Sequence, residues 1–354
     1  MFTKPRVSVI IPTYNRLELL SNAISSVLRQ TFAGFEVIVV DDASNNDIQS
    51  IISQFSDSRI HLVCHTENRG EANARNSGLA AAKGEYIAFL DDDDEWMPAK
   101  LARQVQTLDS SSSDIGATYT AFLWFSWPER ELIGTRTPPA TNGNFNSTLL
   151  RRNIVGTPST VMVRKKCLER IGIFDAGIAY GVDHDLWMRI AENYKFQYIP
   201  EYLVKCHVHE NRLTNNLDIL IQGQKDMLRK YPAKKSEYKA YHSRRCLSIG
   251  ERLCLSRDLK RGRRLLLTSL QFEPLNWRCY FDLFLLTFGY KAFLKGRKIR
   301  QNVGRYFRKK ILTHHAMDPA MIPQIGESKG PVNSPKMGRI HRTPKMSGRA
   351  ARTL

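Results

Sequence analysis

The first ninety positions alternate between two patterns. Residues 7–12 (VSVIIP), 35–40 (FEVIVV), 59–65 (RIHLVCH) and 85–90 (EYIAFL) are short β-branched or aromatic runs. Residues 17–30 and 71–83 carry apolar side chains at helical spacing, and Gly84 closes the second. Strands alternating with helices predict an α/β fold, a mostly parallel sheet flanked by helices of the nucleotide-binding kind. In such a sheet, ligands sit at the carboxyl ends of the strands. The residues at those ends are Thr13, Tyr14 and Asn15, then Asp41 to Ser44, then Asp91 to Asp94. Polar and acidic groups therefore gather along one edge.

At 354 residues the chain is too long for one ordinary compact core. Extended stretches at 118–127, 160–163, 196–199 and 202–209, a helix at 98–108, a second at 183–192 and a Pro/Gly/Asn-rich loop at 137–146 continue the first domain, 1–215. Residues 216–312 read as a helical carboxy-terminal region that includes one helix-turn-helix of the tetratricopeptide kind, and 313–354 as a basic, disordered tail. A composition of 42% hydrophobic and 25% charged residues excludes collagen-like, coiled-coil and wholly disordered chains.

The net charge of +19 suggests nucleic acid until it is divided along the chain. Lys and Arg pile up from Lys291 onward, where only Asp318 and Glu327 oppose them. The excess belongs to one end, as an electrostatic attachment would, so no nucleic-acid partner is expected. Residues 277–294 (WRCYFDLFLLTFGYKAFL) are apolar but interrupted by Arg278, Asp282 and Lys291, too short and charged to span a membrane. Two readings stand: an interfacial helix on an anionic membrane, or a buried helix with a solvated basic edge. The six cysteines show no paired or metal-finger spacing, which suits free thiols in a reducing compartment. The amino terminus runs straight into an apolar stretch without a small-residue cleavage site, so a cytoplasmic location is expected.

Four successive carboxylates in FLDDDDEW, residues 89–96, repel one another directly after a buried strand. Oxygen ligands at this density suit a hard divalent ion, Mn²⁺ or Mg²⁺, bound with substrate phosphates. In VVDDAS, residues 39–44, the carboxylate of Asp42 can accept the imide N–H of uracil, while Asp41 suits capping of the turn.

Together VSVIIPTYNR, VVDDAS, NRGEANARNSGLAAAKGEYIAFLDDDDEW and GVDHDLWMR resemble a family 2 glycosyltransferase of the type A nucleotide-sugar fold, over residues 5–210 and in the expected order. The resemblance implies a metal-dependent, inverting transferase that uses a nucleotide-sugar donor, most often a UDP-sugar. Carried over by position, Pro12, Thr13, Tyr14, Asn15 and Asp42 hold the nucleoside, with Asn68 and Arg75 in the loop and helix before the metal strand. Asp91 and Asp93 form the DxD motif and Asp92 lies near the ribose or donor sugar. Asp183 aligns with the general base, where family members commonly carry a Glu-Asp pair and this chain has Val182-Asp183. Asp185 is the alternative base, and Trp187 and Arg189 brace the helix. His209 falls near the diphosphate or metal, and His207 shares its strand face, with no third ligand at zinc spacing.

The resemblance also implies a glycan or lipid-linked acceptor, in surface polysaccharide or lipopolysaccharide assembly, at an anionic membrane surface. Two competing functions are a non-catalytic nucleotide-sugar-binding relative, prompted by the missing acid before Asp183, and nucleic-acid binding by the tail.

Overall fold

The computed structural model describes residues 4–138, 146–151, 153–210 and 212–300, all within one compact unit, Met1–Ala316. The expected tail at 313–354 lies outside the described residues, as do 139–145 of the expected loop.

Strands β1 (Val7–Thr13), β2 (Phe35–Asp41), β3 (Ile60–Cys64) and β4 (Tyr86–Phe89) form where the apolar runs lie. Helices α1 (Leu17–Leu28), α2 (Ile48–Ser53) and α3 (Glu71–Ala81) connect them. Every pairing among these strands is parallel, in the order β3-β2-β1-β4. Successive β1 side chains face opposite ways: Val7, Val9 and Ile11 share a core with Leu20, Ile24 and Val27 of α1, and Ile10 joins the core on the other face. Both faces are covered, which is why these strands read as unbroken apolar runs. Gly84 does not cap α3, which ends at Ala81. It brings the turn into β4 against β1, where a Cβ would lie 2.6 Å from the Ser8 nitrogen.

The second half of the sheet is mixed. The chain continues through β5 (Asp94–Trp96), α4 (Lys100–Ser110), β6 (Ile115–Ser126), β7 (Leu132–Arg136), α5 (Asn146–Arg151) and β8 (Val161–Arg164). It then forms α6 (Lys165–Ile171), α7 (Val182–Asn193) and β9 (Lys195–Val208). β8 lies antiparallel between β4 and β6, β7 pairs with β6, and β9 runs parallel to β6 and antiparallel to β5. The order along the sheet is β3-β2-β1-β4-β8-β6-β9-β5. The two extended runs expected at 196–199 and 202–209 are one strand, because register shifts opposite Thr120 and Ala121 absorb Pro200 and Glu201. β5, inside the acidic run, and β7 are strands that the sequence pattern does not announce.

The carboxy-terminal region is helical through α8 (Leu217–Lys230), α9 (Ser236–Leu255), α10 (Leu259–Phe272) and α11 (Trp277–Thr287). The apolar segment at 277–294 is broken at Gly289, whose φ is +93°, and helix resumes over 290–300. α11 has one buried and one exposed face. Cys279, Asp282 and Leu286 are buried, while Trp277, Tyr280 and Phe284 are exposed. No helix among the described residues is long and apolar enough to cross a membrane.

Candidate active site

In the parallel half, β1 stands between β2 and β4, and the loops leaving β1 and β4 meet at the carboxyl ends, where Thr13 and Arg16 donate to Asp92. A cavity of about 490 Å³ opens there. Pro12, Thr13, Tyr14, Asp42, Asn68, Arg75, Asp91, Asp92, Asp93 and Asp183 all line it. Three expected site residues, Asn15, Asp185 and His209, do not. Asn15 ties two loops together: its Oδ1 accepts from the Asn45 N–H at 2.8 Å, and its own N–H donates to Ser44 Oγ at 2.9 Å.

At one end, Tyr14 is 45% exposed and forms part of the rim. Asp42 organises the loop before α3. Its Oδ1 lies 2.7 Å from His65 Nδ1 and accepts the Arg69 N–H at 2.8 Å, and its Oδ2 accepts the Gly70 N–H at 2.8 Å. Oδ2 retains acceptor capacity. Asp41 Oδ1 accepts the Ser44 N–H at 2.9 Å, the expected turn cap.

The acidic run follows β4, and separate partners hold each carboxylate. Asp91 accepts from Arg75 Nη2 at 2.6 Å and from Thr157 Oγ1 at 3.1 Å. Asp92 accepts from Thr13 Oγ1 and Arg16 Nη1, both at 2.8 Å. Burial lifts Asp92 to about 7 despite the charge of Arg16. Burial acts on Asp93 as well, but the hydrogen bond from His209 and the charges of Arg16 and Arg212 hold it below the ordinary value. Burial, with Asp93 and Asp91 nearby, drives Asp94 well above that value. Arg75 is fully buried, shared between Asp91 and Glu71, with its guanidinium 5.3 Å from the centre of the Phe174 ring.

Asp91, Asp93 and Asp94 each present an oxygen within 4.8 Å of the others, and Asp94 Oδ1 is buried with no hydrogen-bond partner among the described residues. An all-oxygen set with an unsatisfied buried oxygen fits a hard divalent ion. Asp94 thus joins the expected pair, whereas His209 stands behind it, with Nε2 2.8 Å from Asp93 Oδ2. His207 faces the same residue, its Nδ1 2.9 Å from the Asp93 carbonyl.

Across the cavity, Gly181 (φ +95°) opens α7 and sets Asp183 in the first turn. Asn153 Nδ2 donates to Asp183 Oδ2 at 3.1 Å, and burial pushes this carboxyl up to about 6. Val182, at the position where the resemblance leads one to expect an acid, is a buried side chain that joins the core and lines the cavity. Asp185 is not available as a base. It is fully buried, paired with Arg189 and Lys230, and accepts from Tyr231 Oη at 2.7 Å. A carboxylate at that depth needs all three partners. Trp187 packs between Phe89 and Phe196, and Arg189 donates to the carbonyls of Ile171 and Ile173, so both brace α7 as expected.

Arg16, Trp124, Asn153, Thr157 and Arg212 also line the cavity and escaped the sequence reading. Arg16 and Arg212 lie inside motifs already of interest, VSVIIPTYNR and KCHVHENRLT, and a search for countercharges to four carboxylates was the available signal.

A model of the glycosyl transferase family 2 domain matches residues 8–172. An uncharacterized glycosyltransferase of Methanocaldococcus jannaschii, MJ1057, is 30% identical over 242 residues, covering 67% of this chain and 80% of the relative. The chain belongs to glycosyl transferase family 2. Within this family it is also similar to WfgD of Escherichia coli, named a UDP-Glc:α-D-GlcNAc-diphosphoundecaprenol β-1,3-glucosyltransferase. That match is 45% identical over 102 residues, 29% of this chain and 40% of the relative. The first curated relatives are matched over 66% of their length or less. Among solved structures, S. aureus TarS 1–349 in complex with UDP-GlcNAc superposes with a TM-score of 0.55 at 19% identity, over 84% of this chain and 92% of that one. The likeness of fold to TarS thus extends into the carboxy-terminal helices.

Proposed function

We propose that this family 2 transferase is inverting and moves a sugar from a UDP-sugar to a hydroxyl of a lipid-linked glycan, with Mn²⁺ or Mg²⁺ as cofactor. One observation carries this reading: a single cavity has the acidic cluster on one wall and Asp183 on another. The donor and acceptor named for WfgD support the substrate classes. The reaction then belongs in the cytoplasm, at the inner face of the membrane that carries the lipid.

Tyr14 offers its ring to the base, and Asp42 Oδ2 accepts the uracil imide N–H. Asp92, clamped by Thr13 and Arg16, faces the ribose or donor sugar. Asp91, Asp93 and Asp94 would hold the ion, and His209 orients Asp93. When bound, the ion neutralises charge developing on the departing diphosphate. Asp183 takes the proton of the acceptor hydroxyl as that oxygen attacks the anomeric carbon. The bond to the diphosphate breaks on the opposite face, so a single displacement inverts the configuration. Asn153 engages Asp183 Oδ2 and leaves Oδ1 for the acceptor.

Calorimetric binding of UDP, GDP and CDP, with and without Mn²⁺, tests the donor site. UDP should bind only with the metal, and Asp93→Asn should abolish that binding. A preference for GDP or CDP would overturn the role given to Asp42, and no nucleotide binding would overturn the donor site.

A further inference from the structure

A second, larger concavity, a groove of about 1570 Å³, shares Trp124, Arg136 and Asn153 with the catalytic cavity. Asn153 donates to Asp183, so the groove begins one side chain away from the proposed base. Its walls are basic. Arg136, Lys239, Arg244, Arg245 and Arg278 line it against two acids, Glu251 and Glu273, and Arg300 already engages Glu251.

Lys239 and Arg244 make no side-chain hydrogen bond or ion pair among the described residues. Arg245 is more telling. Its guanidinium lies 5.0 Å over the Tyr180 ring, which lines the catalytic cavity, and its Nε and Nη2 are buried without a hydrogen-bond partner among the described residues. Held against that ring, Arg245 adds a fixed positive charge to the groove wall beside Lys239 and Arg244, a field that favours an anion.

The outer end of the groove is apolar and exposed. Leu275 is 94% and Trp277 60% exposed, and Tyr280 and Phe284 continue the same face of α11. Lys291, Lys295 and Lys298 follow on the next helix, all exposed. An aromatic face flanked by lysines suits the interface of an anionic bilayer.

We propose that this groove is the acceptor channel. Lys239, Arg244 and Arg245 hold the diphosphate of a lipid-linked acceptor, whose chain leaves past Leu275 and Trp277 into the membrane on which α11 rests. The proposal depends on the transferase reading and adds to it the place where the acceptor binds: a basic groove for its diphosphate and an apolar exit for its tail.

The test uses three probes in EDTA, which silences the metal-dependent donor site: farnesyl diphosphate, farnesol and inorganic pyrophosphate. Binding is followed by calorimetry, with UDP plus Mn²⁺ measured separately. Farnesyl diphosphate should bind most tightly. Lys239→Gln with Arg244→Gln, both on the exposed surface, should weaken it by about tenfold, as should Arg245→Gln, with UDP binding unchanged. Equal binding of farnesol would show that the basic wall does not read the ligand. Equal binding of pyrophosphate would assign the site to free phosphate, and unchanged affinity in the variants would place binding elsewhere; each overturns the proposal. On vesicles of phosphatidylglycerol and phosphatidylcholine, Trp277→Ser with Phe284→Ser should lose cosedimentation, and retention would overturn the membrane exit. If UDP binds while farnesyl diphosphate does not, the channel falls and the transferase reading stands. If UDP does not bind either, both fall.

Discussion

Replacing Asp183 by Asn removes one ionisable group from the cavity wall, nearly preserves its shape, and keeps an oxygen to accept from Asn153. Burial raises the Asp183 carboxyl from 3.8 to about 6, against a hydrogen bond from the His184 backbone and with the charge of Glu71 adding to the rise. A carboxyl whose folded value lies above its unfolded one opposes folding once it ionises. Below pH 3.8 both states hold the proton and there is no cost. The cost grows as pH rises toward 6 and is complete above it.

A shift of this size corresponds to about 3 kcal/mol, and because the group still faces the open cavity, about 1–3 kcal/mol is the expected effect. Asp183→Asn should therefore be more stable than wild type by that amount at pH 8 and equal to it near pH 3, measured from urea midpoints. The same substitution should slow transfer by about 10²- to 10⁴-fold, the usual contribution of a positioned base. In wild type, kcat/KM should rise with pH through about 6, following the ionisation of Asp183. Stabilisation of equal size at both pH values would show that ionisation is not its source. An undiminished rate at pH 8 would remove Asp183 from the chemistry altogether.

Asp185→Asn should behave oppositely. It leaves Arg189 and Lys230 facing a neutral group, so stability should fall by about 3–5 kcal/mol, while the folded fraction keeps its kcat at low temperature. Val182→Glu, which restores the acid common in the resembling family, should cost several kcal/mol in thermal unfolding without raising the rate, because that side chain is 6% exposed within the core. A faster variant of normal stability would show that the cavity wall accepts an acid at position 182 and that it assists the base.

What the sequence revealed follows from physical cost. Strands β1, β2 and β4 were legible because both of their faces are covered, which demands unbroken apolar runs. The acidic run stood out because four adjacent carboxylates are expensive anywhere. β5 was hidden inside that same run: Asp94 and Glu95 have poor strand propensity, and pairing with β9 overrides it. Asp183 and Asp185 could not be separated by spacing alone, since both lie in the first turn of α7. The helical region separates them, because Lys230 and Tyr231 at the end of α8 reach back and occupy Asp185.

The same logic explains the missed countercharges. Arg16 and Arg212 are far apart in the chain and unremarkable in their own segments, and of the three countercharges Arg75 alone was expected. They converge on the carboxylates because the β1 exit, the α3 start and the segment after β9 all open at the same end of the sheet. Carboxylates concentrated in one loop and cations dispersed over three elements make a site whose acids can be read from the sequence and whose bases require the topology. The acceptor groove is the extreme case. Arg136 ends β7, a strand the sequence pattern does not announce, and Lys239, Arg244 and Arg245 fall on a helix whose polar face looks like any solvated surface. Only the packing of α9 on α5 and α8 places that face across the groove from Arg136 and Asn153, and through Asn153 near Asp183.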